Sequence, residues 1–240
     1  MNTVGIVGGI GPESTIEYYR KIVAAYCEHD DHGNYPQIII NSINMKEMLD
    51  LIGAGEFDEV ADRLVSELDK LASAGADFGL LASNTPHIVF DKVREYSSLP
   101  LISIVEATCN KAKSMGLRRV ALFGTKFTMQ GGFYDQVFSQ HDISVFTPDT
   151  EDQCYIHDKY MGELIKGVIR DETKSELLAI AAKMKLKHDV QGLVLGGTEL
   201  SLIVQNNDVP SIHVLDTTEI HVESILEALS KGAGVDRLAT

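Results

Sequence analysis

Basic residues are scarce and tryptophan is absent. Lys and Arg number 21 against 35 Asp and Glu, a net charge of −14 over 240 residues. Nucleic acids and anionic membranes are bound through a basic face, so this balance argues against both as partners. It also gives no long-range pull toward a dicarboxylate, so an acidic ligand has to be captured by a local cluster of donors. Only three cysteines occur, Cys27, Cys109 and Cys154, and no C-x-x-C spacing exists. That predicts neither structural disulfides nor a zinc site and points to a reducing, cytoplasmic setting. Apolar runs such as Ile38 to Ile40 are strand-length, far short of the ~20 residues of a membrane span. The first residues, Met1-Asn2-Thr3-Val4, lack the basic start and apolar stretch of a secretory signal.

What the chain does have is an alternation of strand-like and helical patterns. Val4-Gly5-Ile6-Val7-Gly8-Gly9 is an apolar strand running into a glycine turn. Pro12 then opens an amphipathic helix through Ile16, Tyr19, Ile22, Val23 and Tyr26. Pro36 to Asn41 reads as a strand, Val60, Leu64, Leu68 and Leu71 recur at helical spacing, and Leu101 to Val105 reads as a short strand after Pro100. The opening recurs: Val120-Ala121-Leu122-Phe123-Gly124-Thr125 resembles the first strand 116 positions on (120 − 4). Likewise Gly192 to Thr198 resembles Gly79 to Thr85, 113 positions on (192 − 79). Two pairs at nearly one offset predict a duplication.

Such alternation predicts an α/β protein of two lobes, each a mainly parallel sheet flanked by helices, with ligands beyond the carboxyl ends of the strands and a cleft between the lobes. The expected division is 1–98 with 209–240 against 99–208. The capped helix start at Asp216-Thr217-Thr218-Glu219 is expected to lead back to the first lobe.

Small and hydroxyl-bearing residues gather at the expected strand ends. Gly8-Gly9-Ile10-Gly11-Pro12 puts backbone N–H groups at a helix start, which reads equally as an anion site or a plain tight turn. Its spacing breaks the dinucleotide fingerprint and no Lys follows as in a phosphate loop, which argues against NAD and ATP. Ser83-Asn84-Thr85-Pro86-His87, Gly124-Thr125-Lys126-Phe127-Thr128 and Gly197-Thr198-Glu199 bring hydroxyls and an amide to three more strand ends. Singly each reads as a helix cap. Four together point to a small carboxylate-bearing ligand.

These motifs, with Glu151-Asp152 and Asp216-Thr217-Thr218-x-Ile220-His221, resemble the aspartate/glutamate racemase family over essentially the whole chain. The resemblance implies two pseudo-symmetric Rossmann-like lobes, no cofactor, no metal, and a homodimer acting on a small carboxylate or amino acid. It implies that Asn84, Thr85, Thr125, Thr128 and Thr198, with the backbone at Gly9, hold the substrate. Of three lysines that can meet an acidic side chain, Lys46, Lys126 and Lys166, the last best fits the family pattern.

One departure stands out. Racemisation without a cofactor needs a proton-handling group on each face of the α-carbon, and the family supplies two cysteines, immediately before Asn84 and between Gly196 and Thr198. A thiol ionises at about pH 8.5, lower at a helix N-terminus, which suits this work. This chain carries Ser83 at the first place and Gly197 at the second. Serine needs an adjacent base, and glycine offers no group at all. His87, one turn beyond Ser83, and Glu199 are candidate substitutes; each also has a plain reading, His87 in the core and Glu199 as a cap. His221 and the three cysteines read as packing or surface residues. The expected function is a cofactor-independent amino-acid racemase-like isomerase for aspartate, glutamate or a related small carboxylate. The alternatives are a decarboxylase or lyase on the same scaffold, needing only one proton donor, and a non-catalytic carboxylate binder.

Overall fold

Strands that are apolar at almost every position need cover on both faces, and that is how the central strands here are built. The structure, a computed structural model, describes residues 2–30 and 32–230. Its first part runs β1 (Thr3–Gly8), α1 (Pro12–His29), β2 (Gln37–Ser42), α2 (Met45–Ala54), α3 (Phe57–Ser73), β3 (Phe78–Leu81), a 3₁₀ turn (Thr85–Val89), α4 (Phe90–Tyr96) and β4 (Leu101–Ile102). All four strands are parallel, in the order β2-β1-β3-β4. Next come α5 (Ile104–Ser114), β5 (Arg119–Gly124), α6 (Lys126–Gln130), α7 (Phe133–Ser139), β6 (Ser144–Phe146), α8 (Thr150–Gly162) and α9 (Asp171–His188). The chain closes with β7 (Gly192–Gly196), a 3₁₀ turn (Thr198–Leu202), β8 (His213–Asp216) and α10 (Thr217–Ser230). The second sheet is also parallel, in the order β6-β5-β7-β8. Strands β3 and β7 are buried throughout, while β2 at an edge is partly exposed.

Two compact units result, one running to Ser103 and resumed at His221, the other Ile104–Ile220. Residues 99–103 and 209–220 thus fall in the opposite unit from the one expected. The reason is strand pairing: Leu101 pairs with Gly79 of β3, and His213 pairs with Gly192 of β7, so each sheet gains its last strand before the chain passes on. The expected strand to Val105 stops at Ile102, because Ile104, Val105, Ala107 and Thr108 form the buried side of α5 instead.

The two sheets share order and direction, and their registers correct the internal alignment by one residue. Val4 pairs with Phe78 and Val120 with Gly192. With Val4 matched to Val120, Phe78 matches Gly192, 114 positions on (192 − 78), instead of 113. A one-residue slip exchanges the faces of a strand, so the difference matters. The corrected offset carries Ser83 onto Gly197 and Asn84 onto Thr198.

In the first unit Val4, Ile6, Phe78 and Leu80 pack with Tyr18 and Ile22 of α1 and with Val222, Ile225 and Leu229 of α10. Burying each such side chain stabilises by roughly 1.5–3 kcal/mol, which is why α10 returns to the first sheet. A polar pair sits inside that contact. The Tyr18 hydroxyl lies 2.7 Å from His221 Nδ1, and His221 Nε2 lies 3.0 Å from the Ile102 carbonyl. A carbonyl only accepts, so Nε2 carries the proton and Tyr18 donates to Nδ1. Tyr18→Phe leaves Nδ1 without its donor and is expected to lose about 1–3 kcal/mol, read from urea unfolding at unchanged slope.

The second core gathers Phe123, Leu193 and Leu195 of the sheet with Ile156 and Tyr160 of α8 and Leu177 and Met184 of α9. Among the described residues no helix is long and apolar enough to cross a membrane.

Candidate functional site

In the first unit β3 ends at Leu81, and Pro86 helps turn the chain into the 3₁₀ turn that follows. Ser83 stays partly exposed between buried neighbours, while Asn84 and Thr85 are 2% and 5% exposed. Asn84 makes no side-chain capping bond to the turn. His87, four residues beyond Ser83, donates from Nδ1 to the Ser83 carbonyl at 3.0 Å and stacks on Phe90 with ring centroids 4.6 Å apart. Burial, then the neighbouring His221, pulls its pKa down to about 3. The ring is therefore neutral at ordinary pH. Its bond is to the Ser83 backbone and fixes the strand tip.

The glycine loop is held by its own backbone and by α1. Gly9 has φ +82, and a Cβ there would lie 2.3 Å from the Ile43 carbonyl oxygen, so only glycine fits. Of the two readings the loop's sequence allows, anion site or plain tight turn, the geometry is that of the turn: the Gly9 N–H donates to Thr15 Oγ1 at 2.8 Å. Thr15 Oγ1 in turn donates to the Gly11 carbonyl at 3.2 Å. The loop is thus braced by the first turn of α1.

In the second unit Thr125 caps α6, its Oγ1 accepting from the Thr128 N–H at 3.2 Å and lying 3.1 Å from Thr128 Oγ1. Thr128 is 1% exposed and supports Thr125 from behind the helix start. At the end of β7, Gly197 has φ −152 and ψ 123, extended backbone open to any residue. Sterics explain the glycine: a Cβ on it would lie 2.5 Å from Cε2 and 3.1 Å from Cζ of Tyr160. The ring of Tyr160 stands where a side chain at 197 would go.

The Tyr160 hydroxyl donates to Glu199 Oε2, and Thr198 Oγ1 donates to the same oxygen at 2.8 Å. Tyr160 and Glu199 are 6% and 2% exposed, while Thr198 is partly open. Burial first, and then the Glu199 charge, raise the Tyr160 pKa well above its ordinary value, so the phenol keeps its proton. Sequence reasoning missed Tyr160 because Ile156, Tyr160 and Leu164 recur at i, i+4, i+8, the signature of a helix core face. A helix residue facing a glycine at a strand tip leaves no mark in either local pattern.

The candidate cations Lys46, Lys126 and Lys166 are all exposed, and Lys46 pairs with Asp50. Cys27 and Cys154 are exposed; Cys109 is buried, and that burial pushes its thiol up to about 11. It is therefore a thiol and not a thiolate at neutral pH.

Two parallel α/β units with the same strand order, each with small polar residues after the equivalent strand, define a duplicated α/β fold. The pattern of the Asp/Glu/Hydantoin racemase family matches residues 7–225, and the chain belongs to that family. Over 150 residues it is 28% identical to the broad specificity amino-acid racemase RacX of Bacillus subtilis; that stretch is 61% of this chain and 64% of the relative, under two thirds of its length. Among solved structures it is similar to a Yersinia pestis protein described as a candidate Asp/Glu racemase, with a TM-score of 0.87 and 32% identity over 95% of this chain and 99% of that one. It is also similar to an aspartate racemase homologue from Pyrococcus horikoshii, with a TM-score of 0.84 and 33% identity over 96% and 100% of the two chains.

Proposed function

We propose that this protein is a cofactor-independent isomerase that removes and returns the α-proton of an amino acid, with aspartate, glutamate and related small carboxylates as the first substrates to test. The observation that carries the reading is the register: Ser83-Asn84-Thr85 after β3 and Gly197-Thr198-Glu199 after β7 are equivalent tips of two equivalent sheets. In this reading the Asn84 amide and the Thr85 hydroxyl of the first unit donate to a carboxylate and the hydroxyl of the partly open Ser83 handles a proton, while the Thr125 hydroxyl is a donor of the second unit. The exposed positions of Lys46, Lys126 and Lys166 supply no buried cation for an acidic side chain. Recognition therefore falls mainly on the groups all amino acids share, in keeping with a broad-specificity racemase among the relatives.

The test is α-proton exchange in heavy water, followed by proton NMR for each common amino acid. At least one is expected to lose its α-proton signal, and Ser83→Ala is expected to slow that loss by about 100-fold. Retention of every α-proton by the unaltered protein would reject the isomerase. Release of carbon dioxide from a substituted malonate in its place would mark a decarboxylase.

A further inference from the structure

The residue that occupies the space beside Gly197 also carries a hydroxyl, and that hydroxyl is already bound to a carboxylate. Extended backbone at 197 accepts any residue, so the glycine is there because the Tyr160 ring lies against it. Behind the ring edge, Glu199 Oε2 receives one hydrogen from Tyr160 and another from Thr198. Of these three side chains, Tyr160 and Glu199 are closed off and Thr198 alone is partly open. This is the order of an accessible hydroxyl, a base within hydrogen-bond reach, and a third group that fixes the base.

We propose that Thr198, Glu199 and Tyr160 form the proton-transfer group of the second unit and replace the side chain that Gly197 lacks, an inference that rests on the isomerase reading above. On deprotonation the substrate Cα–H bond breaks and its proton passes to Thr198 Oγ1. The proton that Oγ1 held passes to Glu199 Oε2, and the C–H electron pair stays on the substrate, spread into its carboxylate. Reprotonation runs the same transfers backwards, so no oxidant, reductant or further reactant is needed. Tyr160 keeps its proton throughout and acts as a positioning residue: its ring excludes water from the glycine, and its hydroxyl holds Oε2 toward Thr198.

The test measures α-proton exchange, resolved into kcat and KM, for Thr198→Val, Thr198→Ser, Glu199→Gln and Tyr160→Phe. These changes preserve side-chain volume closely, and thermal unfolding of each variant checks that the fold survives. Thr198→Val and Glu199→Gln are expected to lose about 100-fold or more in kcat with KM little changed. Thr198→Ser, which keeps the hydroxyl, is expected to stay within about tenfold of the unaltered protein, and Tyr160→Phe to lose about tenfold in kcat. A loss at Thr198→Val that falls wholly on KM, or Glu199→Gln at full rate, overturns the inference and leaves the isomerase reading standing. No exchange by the unaltered protein overturns the isomerase reading and this inference with it.

Discussion

Gly197→Cys by itself is expected to lower the unfolding free energy by about 1–3 kcal/mol, the usual range for overfilling a packed site, and to add no racemase activity. The new Cβ would meet the Tyr160 ring at 2.5 Å, and that ring is tethered at its far end by Glu199. A flexible chain end would swing aside; a buried, hydrogen-bonded ring on a helix will not. Tyr160→Leu removes the offending edge but leaves a gap, and it is expected to cost about 2–4 kcal/mol alone. Joined with Gly197→Cys it is expected to cost at least ~1 kcal/mol less than the two single losses added. Denaturant titration of the four proteins gives this coupling directly. Only in that paired background, with Ser83→Cys added, are thiols expected at both family positions with room for each, and only there is exchange expected to rise. Strict additivity would show that the ring is not what excludes a side chain from 197.

Acid is expected to weaken the first unit in a defined window. His87 and His221 are buried and neutral, with pKa values pulled by burial to about 3 and about 4 from an ordinary 6.5. Below pH 6.5 the unfolded chain binds protons that the folded one refuses, so stability falls as pH falls. The contribution is intact above 6.5 and is lost progressively toward pH 4 and then 3. At about 1.4 kcal/mol per pH unit for each histidine, the pair accounts for a loss on the order of 4–5 kcal/mol between pH 7 and about 4.5. The ion-paired carboxylates Asp149 and Asp208, held below their ordinary 3.8 mainly by Lys183 and Lys174, act with the same sign but in a lower window. Their share is present above pH 3.8 and is lost as pH drops through their lowered values, so the two effects separate. Unfolding free energies at pH 7, 5.5 and 4.5 check the first; about half the expected loss would mean that one histidine takes up its proton in the folded protein, and a flat profile that both do.

Much of the architecture was legible because it is written in local patterns. Apolar strand runs, the helical spacing of Val60, Leu64, Leu68 and Leu71, and Pro12 at a helix start each report a nearby physical requirement. The misplacements came where the requirement is long-range. Local pattern puts Leu101–Ile102 with the second unit because its partner, Gly79 of β3, lies 22 positions earlier (101 − 79), and it aligns the repeat one residue off because only the ladder fixes register.

The same divide runs through the site. Ser83, Thr198 and Glu199 are visible as a motif, since they follow strands directly. What they touch is not visible. His87 turns to a carbonyl, Thr15 takes the Gly9 amide, and Tyr160, hidden within a helix core face, takes the place of a missing side chain.

The claim on which all this depends is that the protein moves an α-proton without sulfur. Removing every thiol at once with Cys27→Ser, Cys109→Ala and Cys154→Ser, and then following α-proton exchange in heavy water, addresses it most directly. Exchange at a rate within about threefold of the unaltered protein is the predicted result. Exchange that disappears with the cysteines and returns when one of them is restored would place a thiol at the chemistry and contradict the account.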